Sequence, residues 1–505
     1  MPPLFDTLWG RLAIGSRIRS APDRRRLPTA AQDAMLPHVF AILAALSPLL
    51  LSAATPEALL RAALEAKTGA VTLPAGVIEI SREIVLPADA HDLDLRGSGT
   101  TIKAAATFRG RALIVIPSGK NIKLHDLSLD GNRAAVARPL GLPPSETMFS
   151  RFMPDNGILA EGVANLEIAQ VKATGIAGFA ILVNSSHTVR IHDIQITDSG
   201  SLNVRKRNNA TGGILLEEGT TDFEVLDCRI VNVRGNGIWT HSLYTSARNA
   251  RGRIAGNEFA MIARDAIQVG HATEVRVENN RGRMIGYPTE EVDLEGQAFP
   301  VAVDTAGNVD RSVYRANQFE EIDGKCFDLD GFHDGEVSNN TCLNEEEVKS
   351  YPYGHFGIVM NNSNPDMQSR NIRITGNTID GALFGGIFII GSGHTVTGNH
   401  LLHLNLAHCN DPGPVNCAWA ANQPDLLRTG IYLGAGAERP DIAKGNTIEN
   451  NEIGGYGMSR HCIGVAPGVS LAANTVAKNE CSDDAAVAKL AVATILPRPR
   501  FSTPR

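Results

Sequence analysis

Residues 325–344, "KCFDLDGFHDGEVSNNTCLN", place Asp328, Asp330 and Asp334 close together, the first two on either side of Leu329. On a strand, side chains alternate between faces, so Phe327 and Leu329 turn toward a core while Asp328 and Asp330 turn away from it, about 6.5–7 Å apart along the chain. A second apolar segment, "PVAVDT", carries Asp304. Carboxylates gathered this closely repel one another, so at least one should hold a proton or the group should share a cation. One protonated and one ionised carboxyl flanking a glycosidic bond are sufficient for its hydrolysis. The gap is about 5–5.5 Å for retention and about 6.5–9.5 Å for inversion. Asp304 and Asp330 are the expected acid/base pair, Asp328 supports one of them, and Asp334 caps the bend after the strand. The competing reading is a solvated acidic face without chemistry.

What positions these residues is a repeat. The segments "IAGNEF", "VENNRG", "YRANQF", "VSNNTC", "ITGNTI", "VTGNHL", "IENNEI" and "LAANTV" each carry Asn at the fourth position: Asn257, Asn280, Asn317, Asn340, Asn377, Asn399, Asn451 and Asn474. A floor of 22–23 residues between them, with longer excursions, describes a coil with insertions on one side. A second set on the same period, including "NGILAE", "GGILLE", "NGIWTH", "CFDLDG" and "TGIYLG", reads as strands of three to five residues. Short strands stacked once per turn make a parallel β-helix. Asn suits its sharp corner because it tolerates left-handed backbone and bonds its counterpart one coil away. A β-propeller would need a period near 40 and more than 5% aromatic residues.

These repeats, with the amphipathic segment that begins "TPEALLRAALEAKTG", resemble the pectin-lyase-like β-helix superfamily from about residue 55 to residue 481. The resemblance implies an all-β, single-stranded right-handed parallel β-helix with an N-terminal capping helix, long loop insertions and a substrate cleft on the outer strand face. It leaves the reaction open among glycoside hydrolases, lyases, epimerases, esterases and stalk proteins. The Asn-Thr-Asp, Asp-Asp, Gly-His-Gly and Arg-Ile-Lys signatures of the polygalacturonase-like branch are missing from corresponding coils, so no catalytic residue is carried over by motif. The expected organisation is an export segment over 1–54, cap and first strands over 55–95, the β-helix over 96–481 and a tail over 482–505.

The alternation assigns every strand residue to a face. One outward column is expected to read Leu159, Leu182, Leu215, Trp239, Gln268, Ala302, Asp328, Val359, Phe388 and Tyr432; the other reads Glu161, Asn184, Glu217, His241, Gly270, Asp304, Asp330, Asn361 and Ile390. Around the acids, Trp239 and Tyr432 would stack on sugar rings. Glu217, His241, Gln268 and Asn361 would bond hydroxyls, and the insertions would bring in Arg133, Lys206, Tyr353 and His355. Core packing for Trp239 and plain surface polarity for His241 are the alternatives.

The expected activity is cleavage of a poly- or oligosaccharide with no required cofactor. The alternatives are a lyase or epimerase, in which Asp304, Asp328 and Asp330 hold Ca²⁺ and Lys325 is the nearest base, and a non-catalytic carbohydrate-binding or surface protein. Arg24–Arg26 followed by the apolar run over 35–54 reads as an export signal, making the protein secreted or periplasmic and free of stable membrane insertion after cleavage. Six Arg and three Asp lie in the first 54 residues, so the net charge of −7 becomes −10 for the remainder. That balance disfavours nucleic acid as a partner. Of seven Cys, the expected disulfides are Cys409–Cys417, Cys462–Cys481 and, on weaker grounds, Cys326–Cys342, leaving Cys228 buried and unpaired.

Overall fold

In the computed structural model, the described residues are 54–483 except 294, 296–298, 364–366, 410–416 and 418–424. The export segment and the tail beyond residue 483 therefore lie outside them. The helix Pro56–Ala63 opens the structure, with Thr55 Oγ1 accepting from Ala58 N at 3.2 Å and Leu60 turned onto the first strands, the cap expected from sequence. Beyond it the chain winds into one parallel β-helix, and every strand pairs with its counterpart one coil before and after. Right-handed winding is the hand that twisted strands impose on parallel crossovers.

Each coil contributes a strand to each of three sheets. The first sheet includes Asn156–Glu161, Ile181–Asn184, Ile214–Glu217, Ile238–His241, Ile267–Glu278, Val301–Asp310, Lys325–Asp330, Ile358–Asn361, Ile387–Ile389 and Ile431–Leu433. Its inward positions stack as read from sequence: Ile158, Ile181, Ile214, Ile238 and Ile267 lie in register and are buried, with Ala160, Val183 and Leu216 two residues on.

The corner between the second and third sheets is tight and uniform. Asn257 donates through Nδ2 to Asn280 Oδ1 at 2.9 Å, and the same bond repeats through Asn317, Asn340, Asn377, Asn399 and Asn451. Each carboxamide thereby satisfies polar groups that the bend would otherwise bury unpaired. Cys228 occupies the same place one coil earlier, its N donating to Asn257 Oδ1 at 3.0 Å, and is the free buried thiol. The ladder ends on Asn479 and not on the expected Asn474. Asn474 belongs to a shorter ladder at the corner between the first and second sheets, where His394 N donates to Asn446 and Asn446 N to Asn474. A spacing of 23 residues imitated the main repeat because an insertion at one corner offset the count.

The insertions flank the first sheet. Segments 131–155, 200–213, 286–300 and 344–357 precede its strands, and 242–248 and 434–446 follow them. All three expected disulfides are present, with Cα–Cα separations of 6.1 Å for Cys326–Cys342, 5.5 Å for Cys409–Cys417 and 5.8 Å for Cys462–Cys481.

Candidate active site

The strand Val301–Asp310 departs from the expected register by two residues. Val303 lies beside Ile267 and Phe327, and Thr305 beside Val269 and Leu329. A two-residue slip leaves the alternation intact, so periodicity cannot detect it. Thr305 is tolerated in the core column because its Oγ1 meets Tyr314 Oη at 3.0 Å. Asp304 still faces outward, but its register neighbours are Gln268 on one side and Asp328 on the other. The expected Asp304–Asp330 pair is thus replaced by Asp304–Asp328, and Asp330 pairs with Asn361 in the second outward column.

Asp304 and Asp328 are each 8% exposed and sit on adjacent strands, about 4.8 Å apart. Asn236 Nδ2 donates to Gln268 Oε1 at 2.6 Å, and Gln268 Nε2 donates to Asp304 Oδ2 at 2.6 Å. Lys325 Nζ donates to Asp328 Oδ2 at 2.5 Å. Asp265, deeply buried, completes the group, with Arg264 Nε 3.5 Å from its Oδ2. Asp265 Oδ1 and Asp328 Oδ1 are buried and have no hydrogen-bond partner among the described residues. Burial, then the charges of Asp265 and Asp328, holds the Asp304 carboxyl well above the usual carboxylate range. Asp265 is pushed up to about 7, chiefly by burial and against the pull of Arg264. His355 stands close enough for Lys325 to add to the burial that drives its pKa well below the ordinary imidazole value.

Asn236, Asp265 and Arg264 escaped the sequence reading, and Lys325 entered it only as the nearest base of the lyase alternative. Asn236, Asp265 and Lys325 each lie two residues ahead of the leading apolar residue of a strand, and Arg264 adjoins Asp265. Phe179, Gly212, Val301, Phe356 and Gly385 hold that position in other coils, but Asn156, Thr429 and His461 are polar there too, so the position alone does not mark the site in the sequence.

Other expected site residues are employed elsewhere. Trp239 is 5% exposed and packs edge-on against Phe149 at 4.8 Å, so it offers no platform to a sugar. Tyr432 is buried and stacked on Phe388 at 6.2 Å. Glu217 is fully buried and accepts from Phe149 N, Ser150 N and Asn184 Nδ2 at 3.0, 2.7 and 3.1 Å, which anchors the segment over Trp239. Asn361 Oδ1 accepts from Asn362 N at 2.8 Å. Asp330 accepts from Ser363 N and Oγ at 2.9 and 2.6 Å, and burial raises it to about 6 against those bonds. The carboxylate of Asp334, the expected cap of its own bend, instead accepts from Asn371 Nδ2 at 2.8 Å and Arg370 Nη2 at 3.2 Å on the next coil. Of the four loop residues, His355 turns inward; Lys206 is exposed, Arg133 lies against Gly200 O at 3.4 Å, and Tyr353 is held through its backbone N by Asp323 at 2.7 Å. Among the described residues, ligand atoms of Glu217, Glu218 and His241 converge within 4.8 Å of one another, whereas those of Asp304, Asp328 and Asp330, the calcium ligands of the lyase alternative, do not. No helix among the described residues is long and apolar enough to cross a membrane.

Residues 149–283 match the family profile of the right handed beta helix region. No curated protein matches the sequence. Among solved structures the chain is similar to the surface adhesin PfbA of Streptococcus pneumoniae, at 14% identity over 69% of this chain and 86% of that one, with a TM-score of 0.51. It is also similar to the A-module of the mannuronan C-5 epimerase AlgE4 of Azotobacter vinelandii, at 12% identity over 84% and 94% of the two chains and a TM-score of 0.49. The catalytic unit of a GH87 alpha-1,3-glucanase from Streptomyces thermodiastaticus aligns at 11% identity over 84% and 65%, with a TM-score of 0.49. The chain has a right-handed parallel β-helix fold.

Proposed function

We propose that the protein cleaves glycosidic bonds of a poly- or oligosaccharide at the Asp304–Asp328 pair. The observation that carries this reading is the difference between two neighbouring carboxyls: Asp304 is pushed toward its protonated form, while Asp328 is ion-paired with Lys325 and has one oxygen without a partner. Environments that separate two carboxyls in this way divide the work between acid and base or nucleophile. Gln268 occupies Asp304 Oδ2, which leaves Oδ1 to deliver a proton to the leaving oxygen. Asp328 Oδ1 attacks the anomeric carbon as the bond to the leaving oxygen breaks, and water, giving its proton to the now ionised Asp304, then displaces the Asp328 carboxylate and restores both groups. Adjacent strands at about 4.8 Å lie nearer the separation of retaining enzymes than that of inverting ones. Burial and the neighbouring carboxyls of Asp265 and Asp328 favour the proton on Asp304, against the opposing pull of Lys325 and Arg264.

A lyase is the second reading, favoured by Lys325 lying within the cluster beside His355. One assay tests both. The purified chain is incubated with a panel of neutral and uronic polysaccharides, with and without chelator, and products are followed as reducing ends and as absorbance at 235 nm. Hydrolysis gives reducing ends without the unsaturated chromophore, and Asp328→Asn abolishes them. The chromophore would favour the lyase, and turnover that survives Asp328→Asn would remove this site from either reaction.

A further inference from the structure

Two to three coils away from Asp304, about 10–14 Å at the strand spacing, a second group of ligating side chains converges. Glu217 ends the strand Ile214–Glu217, and His241 is its register partner on Ile238–His241. Successive strand residues point to opposite faces, yet Glu218 adopts left-handed backbone, φ +55°, which turns its side chain toward the same place as Glu217. One ligand atom from each of Glu217, Glu218 and His241 lies within 4.8 Å of the other two.

The group does not explain itself as a hydrogen-bond network. Glu218 is 7% exposed; its Oε1 accepts from Leu243 N at 2.9 Å, but its Oε2 has no partner among the described residues. His241 Nδ1 is likewise buried and without a partner there, its ring edge-on to Phe149 and Trp239 at 5.2 Å each. An unpaired buried carboxylate oxygen bears an uncompensated desolvation cost, so its retention at a converging point calls for a ligand.

We propose that Glu217, Glu218 and His241 bind one first-row divalent transition-metal ion, of the Zn²⁺ or Mn²⁺ class. Two carboxylates with one imidazole suit such ions and disfavour Ca²⁺, whose shell is built from oxygen alone. His241 is the partly exposed member and gives the ion its way in. Because Glu217 also holds Phe149 N and Ser150 N, the ion fastens the covering segment to the coil. The site is independent of the hydrolytic reading.

The full chain, stripped with chelator and dialysed, is titrated with Zn²⁺, Mn²⁺ and Ca²⁺ by calorimetry, and the bound metal is counted after gel filtration. The expected result is one equivalent of Zn²⁺ or Mn²⁺ per chain and an upward Tm shift of a few degrees. Trp239 fluorescence should change with it, since the indole adjoins His241. Glu218→Gln and His241→Gln, each verified as folded by circular dichroism, should weaken binding at least 100-fold. Asp328→Asn should bind as the parent does. Binding that persists in both site variants, Ca²⁺ binding as tight as Zn²⁺, or no stoichiometric binding would each overturn the proposal.

Discussion

The first outward column of the first sheet changes character along its length. Leu159, Leu182, Leu215 and Trp239 lie under Phe149, Met153 and Phe179 and form a second small hydrophobic core outside the coil. One strand further on, the same column reads Gln268, Asp304 and Asp328, and then Val359, Phe388 and Tyr432 return it to apolar residues. Backbone and register are the same throughout, so the polar interval is a property of side chains alone. Burying three polar residues where their neighbours gain from the hydrophobic effect disfavours folding. Active sites are where a fold tolerates such a loss.

The sharpest way to break the contrast is to erase the polar interval. Asp328→Asn should lower turnover by 10³-fold or more in the reducing-end assay, an effect of the size expected for removing a nucleophile. The double change Lys325→Met with Asp328→Leu should also abolish activity while leaving stability unchanged or raised by about 1–4 kcal/mol, because an ion pair in a buried site gives way to apolar packing; denaturant unfolding would read this. On the covered side, Phe149→Ala should cost about 3–5 kcal/mol of stability by opening a cavity above Trp239. Gln268→Leu, which extends the apolar column by one residue, should reduce turnover roughly 10-fold by freeing Asp304 Oδ2. The smallest effect concerns pH. Asp265 has a folded-state value raised to about 7, so its contribution to stability is greatest below its unfolded value of about 3.9 and is lost as pH rises through 7. Asp265→Asn should therefore flatten the fall in Tm between pH 4 and 7; an unchanged slope would show that this carboxyl does not titrate in that range.

Much of the coil was legible because its determinants are local. Alternation assigned the buried columns, the Asn repeat marked the tight corner, and the Cys spacing matched the three disulfides. Asp304 was misplaced because "VAVDT" satisfies the same alternation when shifted by two, and a core threonine made the wrong shift more attractive. Trp239 and Tyr432 were read as exposed because parity specifies the side of a strand and not what later covers it. That cover comes from 131–155 and other insertions whose packing is non-local. Asp265 was passed over because it precedes the strand whose pattern attracted notice.

The uniform Asn corner also bears on how such a chain can be altered. The coil's pitch is set where the backbone has no extra length, so the winding does not depend on the length of the segments at the opposite rim. Segments there can be lengthened, shortened or transplanted without resetting the stack beneath them, so new selectivities can be grafted onto an unchanged spindle.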